Sequence, residues 1–361
     1  MNCFSVLNYE DQLKKKDEYL STLYPEDVLF KINPSPLTAN YRCKAVLSAT
    51  TIDNKLRLGL YEEGSKKIKP DLDNSLHDED INELFKVIEK VLNNYKISAF
   101  DIDKNIGIMK HIMIRKSYAF NTFLIVFVTN GNLLPNAKNI VSDIIKFDKR
   151  ILTIIQNIQY KKTHLVLLEN EKVIYGNGYI YDSINDLKFR LSSQSFYQVN
   201  PRQMISLYSK SLELANIDKK TTVLDCYSGI GTITLLAAKL AKIAIGVEVN
   251  KSSHLDAIIN KKLNNITNAT FVNEDVAKYM KNQKNIDVLI MDPTREGASR
   301  EFLESVLLLA PKKIVYISCE PKTQIRDIRL LDKLYVLKSV HPFDMFPKTE
   351  HVECVALLER K

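Results

Sequence analysis

Five short apolar runs occupy residues 223–318, each with a polar or acidic residue at or next to its end. They are VLD (223–225), AIGVEV (244–249), ATFVNED (269–275), DVLIMD (287–292) and KIVYIS (313–318). Segments such as TITLLAAKLAK and SREFLESVLLLA lie between them, with the length and apolar content of helices. Alternation of strand and helix leaves few options. Each helix returns the chain to the start of the sheet, so the strands run parallel, and a parallel sheet needs helices on its faces. The spacing predicts an α/β, Rossmann-like domain over residues 191–361. LYVLKSVHPFDMFP and HVECVALLER follow without a helix between them. They are two more strand candidates, able to close the sheet antiparallel.

The upstream rhythm differs. YEDQLKKKDEYL (9–20) reads as a charged helix within an N-terminal segment, 1–35, that packs on the C-terminal domain. AVLSAT, LRLGLYEE, HIMIRKS and TFLIVFVT read as strands of an antiparallel sheet. DEDINELFKVIEKVLNNY has Ile81, Leu84, Phe85, Ile88, Val91 and Leu92 at helical spacing. AKNIVSDIIKFDKRILTIIQNI reads as another helix, and VIYGNGYIYDSI and LKFRLS as strands and turns. Residues 36–190 therefore form an α+β domain. The formal net charge of the 361 residues is +8, a balance that favours a polyanionic partner. Lys110, His111 and Arg115 in MKHIMIRK are the contacts expected there.

Five cysteines, Cys3, Cys43, Cys226, Cys319 and Cys354, show no C-x-x-C spacing. That argues against a disulfide framework or a bound metal and fits a reducing, cytoplasmic setting. The N-terminus turns charged too soon for a signal peptide, and Phe123–Val128 is too short to cross a bilayer. No membrane partner is expected, and a monomer is.

VLDCYSGIGTITLL runs a strand into a glycine turn and a helix. The chain has ten glycines, so Gly229 and Gly231 together stand out; they permit a tight turn and close approach by a ligand. Glu248 ends the next strand, where an acid suits a ribose hydroxyl pair. An ordinary βα turn and a dinucleotide site are the competing readings. S-G-I-G-T lacks the third glycine of a dinucleotide fingerprint, and Asp225 before the turn would repel a pyrophosphate. A cationic sulfonium tolerates that acid, which favours S-adenosylmethionine. Asp275 and Asp292 end the third and fourth strands, and in such sheets ligands bind at the carboxyl ends. Asp275 is placed to reach an adenine.

Cys319 ends the fifth strand on the same rim. A thiolate is both nucleophile and leaving group. Added to C6 of a uracil, it would make C5 nucleophilic toward a sulfonium methyl. A base must then remove the C5 proton, and Glu353 on the returning strand is the candidate. Taken singly, Cys319 also reads as a small packed residue and Glu353 as a surface acid.

SFYQVNP, DCYSGIGT, GVEV, MDPTREGA, VYISCEP and DMFPKTEHVEC, in that order, closely resemble the uracil-5 RNA methyltransferases, which form 5-methyluridine. The resemblance is dense over the last 170 or so residues and weaker through NYEDQLKKK, NYRCKA, LGLYEEGSKKI and GIMKHIMIR. It implies Cys319 as nucleophile and Glu353 as general base. It also implies that Gln198, Tyr227, Thr232, Glu248, Asp275 and Asp292, beside Gly229 and Gly231, bind S-adenosylmethionine or shape its pocket. The assignment of Gln198 and Tyr227 rests on the resemblance alone. RNA is the implied partner, with 23S rRNA favoured over the tRNA T-loop and residues 36–190 as the RNA-recognition domain. Thr294 stands where the family usually has a second Pro, and Glu320 where it has Asn or Asp. Many members hold an iron–sulfur cluster on four cysteines; Cys3 matches one, and no Cys lies near Asn74, so no cluster is expected. The chain begins at the helix that follows the small N-terminal RNA-binding barrel of many members. A cytosine-5 methyltransferase and a non-catalytic RNA-binding factor on the same fold are the alternatives. The cytosine enzymes commonly have Pro before the nucleophile, and Ser318 is here.

Overall fold

The computed structural model describes residues 3–160, 163 and 165–361. The chain divides into two compact units, one of residues 39–183 with 190–194, the other of 195–361 with 184–189 and the segment up to Thr38.

The first helix, α1 (Tyr9–Ser21), belongs to the second unit and is capped by Asn8, whose side chain accepts from Asp11 N. The first unit then builds β1 (Lys44–Ile52), β2 (Lys55–Tyr61), β3 (Ile68–Pro70), α2 (Glu79–Asn94), β4 (Met109–Lys116), β5 (Phe123–Asn130), α3 (Ala137–Phe147), β6 (Ile151–Gln159) and β7 (Glu171–Tyr175). The sheet order is β3-β2-β1-β4-β5-β6-β7. The apolar stripe of α2 (Ile81, Leu84, Phe85, Ile88, Leu92) packs on Leu47, Leu58 and Ile112 of the sheet. Strands β8 (Tyr179–Ile184) and β9 (Leu187–Ser192) make a separate two-stranded ribbon.

Two expectations for this unit need correction. ILTIIQNI is not a continuation of α3 but the strand β6, parallel to β5. The helix stops at Asp148, whose backbone is extended, and the β-branched run that follows suits a strand buried on both faces. A short apolar run is ambiguous between helix and strand, and here the neighbouring strand decided. The sheet is thus mixed, with a β5-α3-β6 crossover inside an otherwise antiparallel order. The residues read as RNA contacts are also misplaced. Arg115 is 1 % exposed and donates to Ser192 O at 3.1 Å. Lys110 is buried, donates to Gln159 O and lies 4.6 Å from the Phe100 ring centroid. His111 is hydrogen-bonded to Ser48, and burial, with Lys110 beside it, pushes its pKa down to about 4. None presents a cation to solvent.

The second unit continues with α4 (Pro201–Ala215), β10 (Thr222–Cys226), α5 (Thr232–Ala238), β11 (Ile243–Val247), α6 (Lys251–Leu263), β12 (Ala269–Val272), α7 (Val276–Met280), β13 (Val288–Met291), α8 (Arg300–Leu309), β14 (Lys313–Ser318), α9 (Pro321–Leu331), β15 (Tyr335–Phe343) and β16 (Glu353–Arg360). Its order is β12-β11-β10-β13-β14-β16-β15, parallel as far as β14 and antiparallel from there to the edge. The fold is α/β as predicted, with the third strand shorter than its apolar run suggested. Leu20, Tyr24 and Ile32 share the core of this unit with Tyr316, Val340 and Cys354. The salt bridge Lys16–Asp344 (2.7 Å) is fully buried and ties α1 to the segment after β15. No described helix is long and apolar enough to cross a membrane.

Candidate active site

The strand order reverses between β10 and β13, so the crevice outside their carboxyl ends is the place for a ligand. The residues around it come from successive strand ends. Ser228 N donates to Val247 O (3.0 Å) and Gly231 N to Ser228 O (2.8 Å), which closes the glycine turn. Gly229 has φ +55° with open space where a Cβ would sit. Gly231 has φ +83°, and a Cβ there would meet the Phe271 ring at 2.5 Å. One glycine leaves room for a ligand; the other is required by packing. Glu248 accepts from Gly229 N (2.9 Å) and Asn250 N (2.6 Å), so the second strand end braces the first. Thr232 opens α5 and is buried. Tyr227, a bulky residue, is held at φ +66° against Phe302. Such a conformation is strained and concentrates at functional sites. Asp275 is an exposed residue that caps α7 through Lys278 N.

The second half of the site is set by register. Ser318 pairs with Cys354 across the β14–β16 ladder. One residue further along each strand, Cys319 and Glu353 are therefore neighbours, although 34 positions apart. Asp292 follows β13, the strand beside β14. Burial and the Asp292 charge hold Glu353 up to about 8, with the Arg295 charge and then a hydrogen bond with Gln198 opposing. Burial and the Asp225 charge hold Asp292 up to about 7, and burial does the same to Asp225 despite its bond from Thr234. Burial, then Glu353 and Asp292, push the Cys319 thiol up to about 11, while Arg295 pulls it down by charge and hydrogen bond. Glu353 is 3 % exposed and its Oε2 accepts no hydrogen bond.

A layer beneath holds these groups. Gln324 donates to Tyr316 O (2.8 Å) and Cys354 O (3.2 Å) and accepts from the Tyr24 hydroxyl (2.6 Å). Asp327 accepts from the Tyr316 hydroxyl and Ala298 N, both at 2.7 Å. Cys319 also opens onto a cleft of about 330 Å³ lined by Lys15, Tyr19, Lys322 and His351 among others.

The structure thus brings together Cys319, Glu353, Asp292 and Gln198 by register and charge. Gly229, Gly231, Tyr227, Thr232 and Glu248 gather at the glycine turn, and Asp275 lies at the adjoining strand end. Sequence reasoning missed Tyr208, buried on α4 and facing the charges of Asp292, Glu353 and Asp225. It also gave no role to Tyr19. Neither carries a local signal, since both look like ordinary apolar positions of a helix. Among the described residues, no group of three or more His, Cys, Asp or Glu is placed to hold a metal. The Cys3 side chain lies outside the described residues.

A Rossmann-like sheet with a glycine turn, an acidic rim and a strand-end thiol defines a methyltransferase-type site. The tRNA (uracil-5-)-methyltransferase family model matches residues 8–361, and the chain belongs to that family. An RNA methyltransferase of Oceanobacillus iheyensis is 38% identical over 353 residues, 96% of this chain and 76% of the relative. One from Bacillus cereus is 36% identical over 369 residues, 98% of this chain and 79% of the relative. Both are RNA methyltransferases described as uncharacterized. The crystal structure of the Pyrococcus abyssi tRNA (uracil-54, C5)-methyltransferase, in complex with S-adenosyl-L-homocysteine, superposes with a TM-score of 0.83. It is 26% identical and covers 98% of this chain and 84% of that one.

Proposed function

We propose that the protein methylates C5 of a specific uridine in RNA through a covalent Cys319–C6 adduct. The observation that carries this is the ladder register that sets the Cys319 thiol beside a buried carboxylate, Glu353. S-Adenosylmethionine, when bound, would supply the methyl group that C5 accepts, its S–CH3 bond breaking with the electron pair left on sulfur to give S-adenosylhomocysteine. The residues fit such a donor: Gly229 leaves space, and Asp225, Asp292 and Glu353 form a buried acidic cluster suited to a sulfonium. Glu248 at the glycine turn suits the ribose hydroxyls, Asp275 the adenine, and Tyr227, Thr232, Gln198 and Asp292 the remaining walls.

Cys319 Sγ, as thiolate, adds to C6, and the C5–C6 electrons pass onto C5 and the O4 enolate. After C5 has taken the methyl, Glu353 removes the C5 proton. Those electrons restore the C5–C6 bond and the thiolate leaves. Arg295 favours the thiolate at the start. A uracil within a stack cannot offer C6, so the nucleotide is extruded, at about a few kcal/mol. The cleft beside Cys319, with Tyr19 as a stacking face, is the receiving pocket. The sequence reading favours 23S rRNA as substrate, with the protein acting as a cytoplasmic monomer. The tRNA reading is favoured by the Pyrococcus abyssi neighbour, which acts on tRNA.

The test is methyl transfer from labelled S-adenosylmethionine to 23S rRNA and to bulk tRNA, each lacking 5-methyluridine. Label in 5-methyluridine identifies reaction and substrate, and Cys319→Ala is expected to abolish it. RNA bearing 5-fluorouridine at the target should trap a denaturant-stable protein–RNA adduct, because fluorine does not leave as a proton does. Turnover by Cys319→Ala, or no adduct with the fluorinated RNA, would refute the mechanism.

A further inference from the structure

We infer that a basic groove on the first unit, between β2 and the C-terminal half of α2, is a docking site for the phosphate backbone of the RNA. The inference rests on the reading of the protein as an RNA-modifying enzyme. The groove has a volume of about 780 Å³ and is lined by Lys55, Arg57, Lys86, Lys90 and Lys96, against one acid, Glu89.

Its construction explains why it stays open. Strand β3 pairs with β2 only over Gly59–Tyr61, which leaves the first half of β2 without a strand neighbour on that side. Helix α2 takes the neighbour's place with side chains. Asn93 accepts from Leu56 N and donates to Leu56 O, each at 2.9 Å. Glu89 accepts from Leu58 N at 2.8 Å. The edge is satisfied, and Glu89 is further engaged by Arg57 at 2.8 Å, so the acid of the groove is neutralised from within. Lys86 pairs with Asp73 and Glu83. Lys55, Lys90 and Lys96 are exposed and enter no ion pair among the described residues.

The spacing of the cations points to the ligand. Lys86 and Lys90 are four residues apart on α2, about 6 Å along its axis. Lys55 and Arg57 are two residues apart on β2, about 6.7 Å along the strand. Both repeats are close to the separation of neighbouring phosphates on a nucleic-acid strand. The negative end of the α2 dipole accounts for Lys96, just past its C-terminus, the last turn itself carrying no basic residue. It does not account for Lys55 and Arg57 on the strand opposite. Like charges at i and i+4 weaken a helix alone, and a polyanion in the groove reverses that. Asn54, Asn94 and Ser98 on the same walls offer neutral hydrogen-bonding groups to ribose and phosphate.

The experiment measures binding of fluorescein-labelled tRNA and of a 23S rRNA fragment by anisotropy across a salt series. Wild type is compared with Lys55→Glu/Lys90→Glu/Lys96→Glu, with the milder Gln triple, and with Lys284→Glu/Lys333→Glu/Lys338→Glu. The last makes the same charge change on exposed lysines of the other unit. Each phosphate contact contributes roughly 0.7 to 0.9 to the slope of log affinity against log salt. The groove triple is expected to bind both RNAs at least tenfold more weakly, with the slope reduced by roughly 2 to 3. The Gln triple should show the same slope change, and the thermal melt of each variant by circular dichroism reports that the mutated unit is folded. Unchanged affinity and slope in the groove triples, or an equal loss in the control triple, would overturn the proposal. Binding is read without methyl transfer, so a wild type that binds RNA through the groove but methylates none would refute the enzymatic reading alone.

Discussion

Glu353 shows how one residue's surroundings define its chemistry. It is the first residue of β16, beside the thiol-bearing end of β14, buried and with one oxygen unbonded. A carboxylate so placed is a stronger base than one in water, because burial disfavours its charge. Glu353→Gln keeps the shape and removes the proposed base. It is expected to lower kcat by about 10²- to 10⁴-fold, the usual worth of a general base. Methylation of C5 should still occur once, so a protein–RNA adduct retaining the transferred methyl should accumulate on denaturing gels. A kcat loss without adduct would mean that Glu353 acts before the methyl is transferred. Of the proposed site, the candidates Cys319 and Glu353 were legible because a strand-end thiol and a carboxylate on the returning strand suggest a specific chemistry. Tyr208 was not, because an aromatic on a helix looks like core until the topology turns it toward three acids.

At the scale of elements, α1 is held to the methyltransferase unit by polar contacts as well as apolar ones. Lys16 and Asp344 are both fully buried, and burial lowers the Lys16 pKa against the pull of its partner. Breaking a buried pair strands a charge and costs about 3–5 kcal/mol. Lys16→Ala is expected to lower stability by about that amount in urea unfolding, whereas Lys16→Met with Asp344→Leu should recover most of it. Equal loss in both variants would place the contribution in packing. The start of α9 carries a second prediction. Glu320, where the resembling family has Asn or Asp, is its N-cap, and its carboxylate reaches Lys322 N only at 3.4 Å. The shorter acid is the better cap. Glu320→Asp should raise stability by about 0.5–1 kcal/mol, seen as a shift in the urea midpoint. A loss would show that the longer side chain serves another contact.

The whole molecule feels its acidic rim as a dependence on pH. Asp225, Asp292 and Glu353 have folded pKa values raised to about 7, 7 and 8. Their unfolded values lie near about 4. Between those limits the folded state binds more protons, so stability falls as pH rises. The contribution is complete below about pH 4 and lost as pH passes through 7 to 8. Thermal unfolding should therefore show Tm declining from pH 6 to 8.5, and Asp292→Asn should flatten the decline. On the proposed mechanism activity runs the opposite way, because Glu353 would have to be ionised to accept a proton: kcat should rise through about pH 8. A Tm that climbs over this range would contradict the burial of the three acids. The rim is destabilising where its acids are ionised, and a bound cation would offset that.

The alternation of strand and helix after residue 220 determined the sheet type, and the acids and thiol at the strand ends marked the rim proposed to carry the chemistry. Both follow from short-range rules, periodicity and the direction of a parallel strand. What the sequence left open depended on contacts between distant segments. ILTIIQNI became a strand because β5 lay ready to pair with it. Lys110 and Arg115 are buried because hydrogen bonds to Gln159 O and Ser192 O take up their charged ends, while three lysines around α2 and β2 remain in solvent. Only antiparallel register brought Glu353 to Cys319, since a slip of one residue would have turned Glu353 to the opposite face.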